Sequence, residues 1–213
     1  MGAFPKLLGK LRPLSLLFAA APPGGASANP LGLSIPNQEQ DNWCWCAVGL
    51  GIGDYYHGPS MAQCVFASAV LGKGANGCCG TISGGPCDKP WYLDRALTTA
   101  RCFERVDDVS TSPTGFADVQ GEIDHGQPLG VRIQWQSVGA HFIAISGYRT
   151  STTGEQLVTV EDPYGPVTST LPIGDLHGSY GSDGGDWTHS YFTARNPMGG
   201  GARPIDDPAL LGG

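Results

Sequence analysis

The chain has 213 residues, a formal net charge of -7 and only 15% charged residues. A chain of this length forms one domain with a sizeable hydrophobic core. The acidic balance argues against a nucleic-acid partner or an anionic membrane surface, because both attract a basic protein surface.

The first 28 residues have the composition of a targeting segment. Basic residues come first, residues 14–21 are apolar, and an Ala26-Ser27-Ala28 triplet follows. This order is similar to that of a secretory signal peptide, and it predicts a secreted or extracytoplasmic protein or a translocated effector. A leader without regular structure is the alternative. We assign residues 29–196 to one domain and the Gly/Pro-rich residues 197–213 to a tail.

A buried helix is predicted directly after residue 41. Asn42 is the expected N-cap, Cys44 lies at the start, and the helix should run to about Tyr56. Its residues are apolar nearly all round, which predicts burial on every side. Because a glycine within a helix costs about 1 kcal/mol relative to alanine, we expect close packing to require the three glycines of this helix: Gly49, Gly51 and Gly53.

Three further helices complete the predicted helical half. The second covers residues 60–72, where Ser60 and Gln63 form a capping-box pattern. The third should be capped by Asp88, and the fourth should cover residues 115–125.

After residue 128 the apolar pattern changes to that of strands separated by Gly-, Ser- and Thr-rich turns. Helices therefore come first and an antiparallel sheet second, which predicts an α+β fold. A site at the junction would draw Cys44 from the helical half, and His141 and Asp162 from the sheet half. The predicted strands cover residues 129–135, 141–148, 156–162, 167–171 and 190–194.

The chain contains seven cysteines, and this odd total fits three disulfides and one functional thiol. The grouped Cys64, Cys78, Cys79 and Cys87 would also suit a zinc site. The adjacency of Cys78 and Cys79, and the lack of any C-x-x-C pair, favour disulfides.

One set of residues resembles the papain-fold cysteine peptidases. Gln38 lies six residues before Cys44-Trp45, His141 opens an apolar strand, and Asp162-Pro163 follows about 20 residues later. The resemblance covers residues 35–192 and is closest to the bacterial branch of type III effector proteases and relatives of bacteriocin-leader-processing peptidases. Further likenesses are Trp43-Cys44-Trp45, Cys78-Cys79-Gly80, residues 122–128 and residues 140–148.

The resemblance implies a buried catalytic helix in an N-terminal helical half, packed on a C-terminal antiparallel sheet half. Cys44 would be the nucleophile, and His141 would supply the cation, the general acid and later the general base. Asp162 would orient the imidazole. Gln38 would donate a hydrogen bond to the oxyanion. The main papain group has Asn at the position of Asp162, whereas Asp at this position suits the bacterial branch.

Cys46 is a rival nucleophile, because Gln40 precedes it by six residues. At Cys46 the chain departs from the bacterial branch, which usually has Ala at this position. Trp45 follows Cys44 as the resemblance requires, whereas Ala47 follows Cys46, and this favours Cys44. Cys102 is a candidate disulfide partner for Cys46.

Other aromatic residues and histidines are assigned mainly structural roles. Trp187 would cover the contact between His141 and Asp162, or would have only a core or surface role. Trp135 is expected in the core. A structural or solvent role is favoured for the remaining histidines: His57, His125, His177 and His189.

The leading interpretation is a monomeric, exported cysteine endopeptidase that needs no cofactor. Its partner is a protein or peptide substrate, with no nucleic acid and no stable membrane insertion. Each of the four residues alone favours a structural role, and their joint occurrence favours a catalytic set. A papain-fold acyltransferase or amidase is one alternative, and a non-catalytic, disulfide-stapled binding module is another.

Overall fold

A computed structural model describes residues 31–165, 167–197 and 210–212. The predicted leader, residues 1–28, and most of the predicted tail lie outside the described residues, so the signal peptide stays a prediction. Within the described residues, no helix is long and apolar enough to cross a membrane.

The described residues form a helical half followed by a sheet half, so the predicted α+β class is confirmed. The helices are α1 (Cys44–His57), α2 (Gln63–Val70), α3 (Leu93–Thr99) and α4 (Phe116–Asp124), and a short 3-10 helix covers Ile173–Leu176. The strands are β1 (Trp91–Tyr92), β2 (Phe103–Asp108), β3 (Leu129–Gln134), β4 (Ala140–Thr150), β5 (Gln156–Asp162), β6 (Val167–Pro172), β7 (Asp186–Thr193) and β8 (Leu211–Gly212).

A six-stranded antiparallel sheet has the order β2-β7-β3-β4-β5-β6, and β1 pairs separately with β8. The five strands predicted from the sequence are all present. Three strands were not predicted from the sequence: β2, which is largely polar and half-exposed along its length, and the two-residue strands β1 and β8. Such strands lack the apolar alternation on which strand prediction depends.

Both faces of the sheet are covered by other parts of the protein. Strand β4 shows this, since its successive side chains point to opposite faces of the sheet. On β4, Phe142 and Ala144 pack into the core formed with α1 and α3. Ile143 and Ile145 pack into a second core that includes α4. The central strands therefore lie between two layers, and α1 rests directly on β4.

Helix α1 is buried on nearly every side, as its composition predicts. A Cβ atom added at Gly49 would lie 2.6 Å from the Cβ of Ala96 in α3. Gly51 and Gly53 are similarly close to Ile35 and Ala100. The glycines thus allow α1 to approach its neighbours, and this offsets their low helix propensity.

We expect Gly49→Ala to destabilise the protein by about 1–3 kcal/mol, because the added methyl group overpacks the contact between α1 and α3. Gly121→Ala in α4 is the matched control, since a Cβ atom added there would have open space around it. There the same change should stabilise by up to about 1 kcal/mol through helix propensity. Urea unfolding of both variants measures the difference. Equal effects at the two positions would contradict the packing argument.

The predicted N-cap of α1 is wrong by one residue, because Trp43 is the N-cap and has no side-chain cap bond. Asn42 instead donates its backbone N–H and its side-chain amide to Asp88 Oδ1, at 2.8 and 3.1 Å. Asp88 is therefore not the cap of α3, which begins at Leu93. The hydrogen bonds between Asn42 and Asp88 thus connect the start of α1 to the segment before β1.

The second predicted helix begins later than expected. Ser60 does not cap α2, because its N–H and hydroxyl both donate to Asp54 Oδ1 at the end of α1. Gln63 is the first residue of α2, and its side-chain oxygen accepts a hydrogen bond from the N–H of Glu39. These long-range partners replace the local capping box. The fourth predicted helix agrees with α4 within two residues at each end.

Two disulfides are present, Cys64–Cys79 and Cys78–Cys87, and the expected third is absent from the described residues. The grouped cysteines are therefore disulfide-bonded and do not form the alternative zinc site. Cys46 and Cys102 are separate buried thiols, which donate to the carbonyls of Gln63 and Leu97. The suggested pairing of Cys46 with Cys102 is wrong.

The end of the predicted tail is part of the fold. Residues 197–213 were expected to extend beyond the domain, but β8 pairs with β1, and Leu210 is buried. A short apolar segment after a Gly/Pro-rich stretch gave no sign of this long-range pairing.

Candidate active site

Cys44 is the first residue of α1, and its side chain is buried. Its two tryptophan neighbours fix this end of the helix. Trp43 Nε1 donates to the carbonyl of Cys87 at 2.8 Å, and Trp45 Nε1 donates to that of Lys89 at 3.1 Å. In the first turn the backbone N–H groups have no partner within the helix, and the helix dipole favours negative charge there. Cys44 therefore lies where an anion is stabilised.

His141 and Asp162 come together because β4 and β5 are neighbouring strands. His141 is the second residue of β4, Asp162 is the last residue of β5, and His141 Nε2 lies 2.7 Å from Asp162 Oδ1. Cys44 also interacts with the His141 side chain, and this interaction raises the pKa of the imidazole. Since Nε2 is bonded to Asp162, Nδ1 is the ring nitrogen that remains available to the thiol.

Asp162 is held by two further donors. The backbone N–H of Tyr164 donates to Oδ1 at 2.8 Å, and the Tyr180 hydroxyl donates to Oδ2 at 2.7 Å. Burial raises the pKa of Asp162, but the bonds from His141, Tyr164 and Tyr180 outweigh burial and hold that pKa below its usual value. Asp162 is therefore an ionised, oriented acceptor for the imidazole.

Opposing effects act on the imidazole of His141. Burial lowers the pKa of His141, because it disfavours the charged ring. The hydrogen bond to Asp162, the interaction with the Cys44 thiol and the charges of these two groups outweigh burial and raise the pKa of His141 to about 10. This environment favours the imidazolium, the form that a neighbouring thiolate requires.

A stack of aromatic rings borders His141. Trp135 is stacked on His141, with 5.8 Å between ring centroids, and its ring is also stacked with Tyr180 at 6.2 Å. The prediction for Trp187 as the cover of the His141–Asp162 contact is wrong, because Trp187 stacks on His177. Trp135 was expected in the core and is half-buried beside the site. Only its nearness to His141 in the chain could have indicated this position.

Tyr180 was not predicted from the sequence. It lies in a loop after the 3-10 helix, and its backbone forms a bridge with Gly185. The bridge holds the loop closed, so that the Tyr180 hydroxyl reaches Asp162. No spacing or motif in a single sequence marks such a residue.

Gln38 lies in the same region, and its backbone N–H donates to the carbonyl of Pro163 directly after Asp162. Its side-chain amide donates to the carbonyls of Gln40 and Asp41, at 3.0 and 2.7 Å. Both amide hydrogens are therefore engaged by the loop. Gln40 points elsewhere, since its amide donates to the carbonyl of Thr81.

Cys46 differs from Cys44 in its surroundings. Its side chain is fully buried and donates to the carbonyl of Gln63 in α2. Burial, and to a smaller extent the charges of Glu39 and Cys44, raise the pKa of Cys46 well above the usual value of a thiol. These surroundings favour the neutral thiol and a structural role.

A cleft of about 590 Å³ opens over the His141–Asp162 pair. Aromatic rings and polar groups share its lining, which includes none of the other four histidines. Among the described residues, the lining consists of Gln38, Asp41, Trp135, Ala140, His141, Asp162, Tyr164, Tyr180, Gly181, Ser182 and Asp183. The cleft lining thus holds an imidazole and a carboxylate, and the buried thiol of Cys44, which interacts with this imidazole, completes the set required for acyl transfer.

One solved structure similar to this chain is the Amb a 11 cysteine protease, a ragweed pollen allergen, in its proform. The two share 14% sequence identity with a TM-score of 0.38, and the match covers 78% of this chain. The chain spans 57% of the length of that protein.

The comparison with curated proteins gives no match. A family model, by contrast, matches residues 31–186, a range that includes Cys44, His141 and Asp162. Because this match spans most of the chain, the chain belongs to the Peptidase_C39 like family.

Proposed function

We propose that this protein is a cysteine peptidase that hydrolyses peptide bonds with Cys44, His141 and Asp162 as its catalytic residues. One observation carries the proposal: His141 Nε2 lies 2.7 Å from Asp162 Oδ1, and the same imidazole interacts with Cys44. The base thus lies between the nucleophile and the orienting group, as a catalytic triad requires. The family membership supports the same reaction class.

In the proposed reaction, the Cys44 thiolate attacks the carbonyl carbon of the substrate and forms a tetrahedral oxyanion. The His141 imidazolium then gives its proton to the leaving amine, the C–N bond breaks, and a thioester remains on Cys44. Neutral His141 next takes a proton from a water molecule, which attacks the thioester. Collapse of this second oxyanion releases the carboxylic acid and restores the ion pair.

Gln38 is proposed to donate to the oxyanion together with the backbone N–H of Cys44. The position of Gln38 in the cleft wall supports this role. Its amide hydrogens are bonded to the carbonyls of Gln40 and Asp41 without substrate. An oxyanion must therefore share an amide hydrogen of Gln38 with one of these carbonyls, or replace that carbonyl as its acceptor. Catalytic hydrogen bonds often tighten only when substrate is bound.

We further propose an endopeptidase of the bacterial branch that the sequence resembles, acting as a monomer on a protein or peptide outside the cytoplasm. The two disulfides support this location, because disulfides persist mainly in oxidising compartments.

The test is thiol labelling of the native protein with iodoacetamide between pH 4 and 9, followed by peptide mapping. We expect Cys44 to be the fast-reacting thiol below pH 7, where an ordinary cysteine is mostly protonated and slow. His141→Ala should remove this fast reaction, because the imidazolium that stabilises the thiolate is lost.

The buried thiols Cys46 and Cys102 are internal controls in the same labelling experiment. Fast labelling of Cys46 in place of Cys44 would identify Cys46 as the nucleophile. If no thiol reacts until the protein unfolds, the peptidase proposal fails and the non-catalytic binding module takes its place.

A further inference from the structure

The segment Leu210–Gly212 lies against β1 as an added strand. Leu211 pairs with Tyr92 and Gly212 pairs with Trp91, in the antiparallel direction. Leu210, directly before this strand, is only 3% exposed. Three residues that follow a Gly/Pro-rich stretch are thus held by backbone pairing and by burial.

The other side of the segment contacts the sheet half. Arg132 of β3, which is 6% exposed, donates from Nε to the carbonyl of Leu211 at 3.1 Å. Gly212 lies on the ring of Phe142, where an added Cβ would be 2.4 Å from Cε2. Together, β1, Arg132 and Phe142 form a groove, here called the β1 groove, that holds an extended backbone.

The β1 groove shares a hydrophobic core with Cys44, because Phe142 and Cys44 belong to one cluster of buried residues and Trp91 packs against it. From Leu211 to Gly212 the segment runs back along β1, from Tyr92 to Trp91, and so toward Lys89. The carbonyl of Lys89 accepts the Trp45 indole N–H, next to Cys44.

The opposite wall of the groove is connected to His141 through the backbone of β4. Phe142, on which Gly212 lies, directly follows His141 in β4. The β1 groove is therefore connected to the start of α1 through the bond between Lys89 and Trp45, and to His141 through the backbone of β4.

We propose that the β1 groove is the peptide-binding groove of this protein, and that its own segment Leu210–Gly212 occupies the groove in cis and competes with substrate. The inference rests on the proposed peptidase function. Addition of an extended peptide to a free strand edge is a common mode of peptide recognition, in which main-chain hydrogen bonds supply affinity. When such a site is filled in most molecules, its apparent affinity for a second ligand falls in proportion to the free fraction.

Two alkylating reagents of different size test the inference. Iodoacetamide needs only the thiol, whereas the chloromethyl ketone of a Leu-Leu-Gly tripeptide also needs the groove. Gly212→Val should displace the segment, because its side chain collides with Phe142. Gly174→Val is the matched control, since nothing lies within 4 Å of a Cβ at that position. A chain lacking residues 198–213 is the second variant, and thermal melting verifies that all variants are folded.

We expect the tripeptide reagent to alkylate Cys44 at least about 10-fold faster in Gly212→Val and in the shortened chain than in the original protein or Gly174→Val. Labelling by iodoacetamide should stay within about twofold in all four, because the thiol is unchanged. A synthetic peptide of residues 205–213 should slow the tripeptide reagent in the shortened chain, and the same peptide with valine in place of Gly212 should not.

Each other result has a definite meaning. If iodoacetamide labels Cys44 but the tripeptide reagent reacts equally fast in all four proteins, the cis-occupancy inference is overturned and the peptidase proposal stands. If iodoacetamide labels Cys44 in none of the folded proteins, the peptidase proposal fails, and the inference fails with it.

Discussion

Replacing Cys44 by Ala is expected to lower peptide hydrolysis on the order of 100,000-fold, because the nucleophile of the proposed reaction is removed. The measurement is the rate of cleavage of dye-labelled casein at neutral pH. Ala keeps most of the volume of the buried Cys side chain, so the fold should tolerate the change.

Cys46→Ala is the matched control for this variant. It removes a thiol two residues away in the same helix, where the side chain contacts Gln63 and not His141. We expect cleavage within about threefold of the original rate, because the Cys46 side chain bonds to α2 and the catalytic residues are left in place. Loss of activity in Cys46→Ala, with activity kept in Cys44→Ala, would reverse the assignment of the nucleophile.

Asp162→Asn is expected to lower kcat/KM by about 100- to 10,000-fold, in the range found when the orienting acid of a catalytic triad is replaced. The amide removes the negative charge that, with the hydrogen bond, raises the pKa of His141. Burial, which lowers the pKa of His141, is then opposed by a weaker stabilisation of the charged ring. The imidazolium should therefore lose its proton at lower pH, and the alkaline limb of the pH–rate profile should move to lower pH.

Tyr180→Phe is a graded control for Asp162→Asn. It removes one of the donors to Asp162 and leaves the bond from His141 in place. We expect a loss of less than about 10-fold in kcat/KM and a smaller shift of the alkaline limb in the same direction. An unchanged alkaline limb in Asp162→Asn would show that the carboxylate does not control the charge of His141.

The sequence was sufficient to predict the helix-then-sheet order and the burial of α1, because both follow from local apolar patterns. It also predicted His141 and Asp162 at the ends of two strands, and pairing of these strands places the two side chains 2.7 Å apart. The catalytic roles of these residues stay a proposal.

Long-range contacts account for what the sequence could not predict. Asn42 was expected to cap α1, but its side-chain amide donates to Asp88, which lies 46 residues later in the chain. Tyr180 reaches Asp162 through a loop closed by an isolated bridge, and β8 pairs with a strand more than a hundred positions earlier in the chain. No periodic pattern in the sequence indicates these contacts, because each depends on how whole helices, strands and loops pack against one another.

The Cys78–Cys87 disulfide has a consequence for the conditions under which this protein works. Cys87 is both a disulfide partner and the residue whose carbonyl accepts the indole N–H of Trp43, directly before Cys44. A strong reductant that keeps the Cys44 thiol available would thus also open the crosslink that supports its helix. An oxidant that protects the crosslink would threaten the thiol. The protein should therefore function best within a bounded range of redox potential, and reductant added to an assay should have an optimum concentration.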